Sequence, residues 1–160
     1  MPQLATLDTG PARARRAHRR EPVLVALAVA GPSGPAARRV ATNVALLAGA
    51  GLVAASALIH LYLWADGYRH VTTIGPLFLA QGVVGLALAV LLIAYPNAVA
   101  AAVGVGYLLA TLVGLVLSAS IGFLGFMDTF DAPWASTSLI VEAAGVLTLT
   151  VGAALCLRRT

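Results

Sequence analysis

From residue 40 onward the chain alternates between long apolar runs and short polar breaks. Four runs, 40–64, 75–95, 98–126 and 135–157, consist almost entirely of Ala, Val, Leu, Ile, Gly and a few aromatic residues. Crossing about 30 Å of hydrocarbon at 1.5 Å per helical residue takes about 20 residues, and each run is long enough. Inside lipid a backbone N–H or C=O finds no water, so each run must close its own hydrogen bonds as a helix. The separators, 65–74, the Pro96-Asn97 corner and 127–134, are short, which makes consecutive helices antiparallel neighbours. The pattern therefore predicts an all-α, transmembrane, antiparallel four-helix bundle over 40–157.

Residues 1–39 read differently. They hold Pro2, Pro11, Pro22, Pro32 and Pro35, a basic run from Arg13 to Arg20, and the stretch Gly31-Pro32-Ser33-Gly34-Pro35. Such Gly and Pro density breaks helices and strands alike, so a disordered Arg/Pro-rich cytoplasmic tail is expected. The apolar stretch from Val23 to Ala30 ends in Ala-Val-Ala, as a signal-peptidase site does. It is too short to span, and cleavage there would strand Arg38 and Arg39 outside. It is expected to stay part of the tail.

Composition agrees with a membrane class. The chain is 60% hydrophobic and 10% charged, with a mean hydropathy of +0.93. A soluble domain is about a quarter charged, so this chain lacks the polar surface to cover a core in water. The net charge of +4 comes from ten arginines and no lysine, seven of them before the first run and two at the C-terminus. Such clusters beside spans are topology signals and attract anionic headgroups. Both termini are thus expected in the cytoplasm, in a multi-pass protein of the plasma membrane. Tyr62, Trp64, Tyr68 and Trp134 fall where an aromatic belt would mark the external interface. No folded basic surface with interleaved aromatics accompanies the arginines, so nucleic acid is not an expected partner. The lone Cys156 forms no internal disulfide and reads as a small hydrophobe.

Ionisable and polar side chains inside spans carry the information, because lipid makes them expensive. At helical rise His60 lies about 6 Å below the external end of span one, Gln81 about 9 Å into span two, and Glu142 about 10 Å into span four. Ser118 and Ser120 occupy the external third of span three. Similar depth from four spans is what a shared polar pocket requires, and His60, Gln81, Glu142 and Ser118 are its candidate residues. An unpaired carboxylate costs about 2.5–3.5 kcal/mol at a span's centre on insertion scales. Glu142 is therefore expected to face the bundle interior and to converge with His60. Such a cluster serves as interhelical glue, or else as a small-molecule or quinone pocket, a proton-transfer pair, or a haem or metal ligand, though His60, His70 and Glu142 have no diagnostic metal spacing.

Gly106, Ala110, Gly114, Ser118 and Gly122 recur every four residues, a small-residue stripe suited to close helix packing within the bundle or in a homo-oligomer. Catalytic signatures are missing: no phosphate-binding Gly-Lys loop, no H-E-x-x-H and no nucleophile elbow. No catalytic residue and no metal site is assigned, and no cofactor is expected; a quinone is the nearest candidate, and haem finds no second axial ligand beside His60. The expectation is a non-enzymatic structural or accessory membrane component, alone or in a membrane complex. The alternative is a redox- or transport-associated protein with a quinone-like or other small ligand in an external-leaflet pocket.

The stretch Ile59-His60-Leu61-Tyr62-Leu63-Trp64-Ala65-Asp66-Gly67-Tyr68-Arg69-His70, continuing through Thr73-Ile74-Gly75-Pro76 to Gln81, resembles uncharacterised four-span membrane proteins of actinobacteria. The likeness covers 40–157, and it implies that His60, the Gly67–His70 turn and Gln81 are motif positions. In size and span count the chain is also similar to DoxX-type membrane proteins, some of which serve quinone-dependent redox chemistry. That similarity is architectural, and architecture does not transfer function.

Overall fold

The computed structural model describes residues 34–158, and the bundle belongs to the unit Arg38–Thr160. Four helices follow one another: α1 (Pro35–Asp66), α2 (Ile74–Ala94), α3 (Ala98–Ser120) and α4 (Ala135–Leu157), with a 3-10 turn (Tyr68–His70) between α1 and α2. Each is long and apolar enough to cross a membrane. Among the described residues there is no strand, only an isolated bridge between Phe123 and Phe126.

The helix ends differ from the apolar runs where local chemistry intervenes. Helix α1 starts at Pro35, five residues before the expected start of span one and inside the stretch assigned to the tail. Proline at a first helical position costs no hydrogen bond and brings its φ ready set. The rest of the expected tail, with the Ala28–Ala30 cleavage question, lies outside the described residues. Span two shifts by one residue at each end. Span three, expected to reach Phe126, ends at Ser120. Gly122 and Gly125 have φ of +82° and +77°, and Leu124 between them has φ of 51°. Phe123 and Phe126 exchange two backbone hydrogen bonds of 2.7 and 2.9 Å around Leu124-Gly125. Two successive positive-φ residues inside a two-residue loop are the mark of a type I′ turn, which cannot continue a helix. The α2–α3 corner is held by Asn97, whose Oδ1 accepts from Ala100 N at 2.9 Å as an N-cap while its Nδ2 donates to Tyr95 O at 3.0 Å.

Large apolar side chains face outward from every helix: Val40, Val90, Val99, Ile140 and Leu147 are each more than 60% exposed. The interior instead combines small residues such as Ala50, Ala57 and Ala101 with a few leucines. In water such an exterior would drive association, whereas against lipid it is the natural surface. The fold is that of a multi-pass integral membrane protein.

Glycines set the helix spacing. Leu149 of α4 is fully buried, and a Cβ added to Gly49 on α1 or Gly104 on α3 would run into its side chain. Gly145 receives Leu108 in the same way, and Gly152 receives Leu46. Helix α1 also meets α2, where Gly82 leaves room for Leu61 and Gly85 for Ala57. With no hydrophobic drive between helices in lipid, this leucine-into-glycine fit supplies the close van der Waals contact that association needs. The expected α3 stripe takes no part in it. Gly106 and Gly114 face open space, Ala110 is exposed, and Gly122 lies beyond the helix. Only Ser118 of that stripe is buried. Cys156 packs, partly buried, against the core.

Candidate functional site

The end of the bundle that carries the α1–α2 and α3–α4 loops encloses a cavity of about 250 Å³. All four expected pocket residues line it: His60 from α1, Gln81 from α2, Ser118 from α3 and Glu142 from α4. Helical rise fixed their common depth, and packing turns all four toward one space.

Glu142 forms the floor. Its side chain is 1% exposed and faces the bundle interior, as the cost of a carboxyl in lipid demands. Ser56 Oγ, itself fully buried, donates to Glu142 Oε1 at 3.0 Å. One turn along α1, His60 Nδ1 donates to Ser56 O at 2.8 Å. His60 and Glu142 are thus both tied to Ser56, the first through its backbone oxygen and the second through its hydroxyl. Sequence reasoning passed over Ser56, although its place four residues before His60 puts both on one helix face. Among the described residues Glu142 Oε2 is buried with no hydrogen-bond partner. Buried carboxyl oxygens without a partner are rare, and each calls for an explanation.

Further side chains that the sequence did not single out stand on the walls, as Thr111 and Ser138 do, or behind them, as Tyr107 does. Tyr107 and Thr111 of α3 are both buried. The Tyr107 hydroxyl donates to the backbone oxygen of Gln81 at 3.0 Å, in the space left by Gly85. Thr111 Oγ1, on the cavity wall, donates to Leu108 O at 2.8 Å, and Ser138 lines the wall from α4. A tyrosine hydroxyl bonding the neighbouring helix backbone satisfies itself and fixes that helix's rotation.

The mouth is aromatic. Phe78 stacks on Tyr68 with centroids 4.7 Å apart and rings 8° from parallel, and its ring also meets His60 at 5.1 Å. Phe126, from the turn that ends span three, meets Tyr68 edge-on at 5.7 Å. The Tyr68 hydroxyl donates to Asp128 Oδ2 at 2.9 Å and so joins the two loops across the opening. Burial, and then the hydrogen bond to and charge of Asp128, push the Tyr68 phenol up to about 12. Asp128 N in turn donates to Ser118 O at 3.0 Å, pinning the α3–α4 loop under the end of α3. At the same end, Tyr62 and Trp134 meet edge-on at 5.8 Å.

Among the described residues no three His, Cys, Asp or Glu side chains come together as a metal centre would need. His70 lies outside the cavity lining and accepts from Arg69 Nε at 3.0 Å. Comparison with known proteins returns nothing similar: no family model, no curated protein and no solved structure matches the chain. What the cavity does must be argued from its own residues.

Proposed function

We propose that this protein is a four-span component of the plasma membrane, with both termini cytoplasmic. In this reading it holds a small lipid-soluble molecule in the Glu142 cavity, near the external face, and its role is binding and not catalysis. The observation that carries the reading is Glu142 Oε2, an oxygen with no partner among the described residues, on the floor of a cavity open at one end. Apolar and aromatic walls with a few convergent polar groups are the usual build of a small-molecule site.

A second reading has its own support: the Ser56–Glu142 bond ties α1 to α4 and would lock the bundle with no ligand at all. A lock, however, gains nothing from a cavity and is weakened by a half-satisfied carboxyl. The pocket explains both features.

Extraction in mild detergent followed by native mass spectrometry tests the choice. Gly114 lines the cavity, and nothing lies within 4 Å of a Cβ placed there, so Gly114→Leu fills the space without a backbone clash. Wild-type protein should carry a small molecule that the Gly114→Leu variant lacks. Ligand-free wild type, together with a Glu142→Leu variant as stable as wild type, would leave the lock as the better account.

A further inference from the structure

We infer that the ligand of this cavity is a protonated amine with an apolar body of phenylalkyl size; the inference rests on the binding role proposed above. It follows from which hydrogen-bonding capacities the protein has already spent. The hydroxyl hydrogens of Ser56, Tyr68 and Tyr107 are donated within the protein, to Glu142 Oε1, Asp128 Oδ2 and Gln81 O, and that of Thr111 is shared between Leu108 O and the Glu142 carboxyl beside it. The His60 Nδ1–H is given to Ser56 O, which leaves Nε2 of the neutral ring as an acceptor. What remains for a guest is mainly acceptors, with Glu142 Oε2 first among them. The Gln81 amide and the Ser118 and Ser138 hydroxyls serve either way. A quinone carbonyl offers only acceptors, so it would find donors in Gln81, Ser118 and Ser138 but leave Glu142 Oε2 without a partner.

Charge points the same way. Among the described residues two carboxyl side chains, Glu142 and Asp128, line the cavity and no arginine does, in a chain without lysine. An anion is disfavoured there, and a cation is attracted from the floor and from the mouth. The cation is organic and not a metal, because the walls are Leu63, Leu77, Leu115, Phe78, Phe123 and Phe126. Apolar cavities of about 150 Å³ accept benzene, so this one, at about 250 Å³, has room for a phenylalkyl chain. Seated with its nitrogen down, such an amine donates an N–H to Oε2 and lays its ring among the aromatic residues of the mouth.

The test uses the full-length protein in nanodiscs, with empty nanodiscs subtracted, and three probes: 4-phenylbutylamine, the matched neutral 4-phenylbutan-1-ol, and a short-tailed benzoquinone. Binding is followed by ligand-observed NMR. The amine should bind at least about tenfold more tightly than the alcohol, as a charge-assisted hydrogen bond implies. Glu142→Gln, which keeps shape and removes charge, should bring the amine's affinity down to within about threefold of the alcohol's in the same variant. Equal affinity for amine and alcohol in wild type overturns the amine assignment and leaves the cavity reading standing, whatever the variant does. Quinone binding without amine binding has the same meaning. Failure of all three probes to bind overturns both.

Discussion

Ser56 on α1 and Glu142 on α4, 86 residues apart in sequence, are joined by one hydrogen bond of 3.0 Å between two side chains that solvent does not reach. Ser56→Ala removes that bond and leaves Oε1 as bare as Oε2. Losing a partner in a buried site costs about 1–3 kcal/mol, so a clear drop in thermal stability is expected in detergent. In a Glu142→Leu background the same substitution should cost little, since the carboxyl that needed the serine is gone. Equal losses in both backgrounds would show that the pair is not coupled.

Two glycines of α3, two residues apart and so on opposite faces of the helix, should respond with opposite sign. A Cβ at Gly104 would lie 2.7 Å from Leu149 Cδ1, whose other methyl group already fills the space at Gly49. Gly104→Ala should therefore destabilise by about 1–3 kcal/mol through overpacking. Gly106 faces open space, so Gly106→Ala should gain about 0.5–1 kcal/mol of helix propensity. Thermal unfolding of the two variants side by side checks this, and a shared sign contradicts the assignment of inward and outward faces.

Tyr68 links the loops through Asp128, and its phenol stands at about 12 against an ordinary value of 10. A pKa raised on folding means that the neutral phenol is the form the fold stabilises. That contribution is complete below about pH 10 and is lost as pH rises through about 12. The wild-type minus Tyr68→Phe difference in phenolate absorbance should titrate near the upper value. A midpoint at the ordinary phenol value would mean that the mouth is open to water and the Asp128 bond is absent.

Sidedness can be read with reporter fusions. Fusions after Pro96 and after Thr160 should register as cytoplasmic, and fusions within 65–74 or 127–134 as external. The cavity mouth then opens toward the outside. A cytoplasmic signal from either of those two loops reverses the topology and places the cavity at the inner face.

The sequence by itself determined how many spans there are, roughly where they lie, and the common depth of His60, Gln81, Ser118 and Glu142. Compatibility with lipid is a property of about 20 consecutive residues, and depth follows from 1.5 Å of rise per residue. Both are local quantities. Only the tertiary structure decided which way each helix faces. These helices are apolar all round and carry no polar stripe to mark an outer side, so periodicity is silent about rotation. Rotation is set by fit between neighbours: Leu149 between Gly49 and Gly104, and Tyr107 in the space at Gly85. That fit brings Ser56 under Glu142, leaves Gly106 and Gly114 outside the packing, and closes an aromatic mouth over a carboxyl oxygen that makes no hydrogen bond among the described residues. The end of α3 belongs with these features, because positive φ at Gly122, Leu124 and Gly125 turns an apolar run of spanning length into a loop.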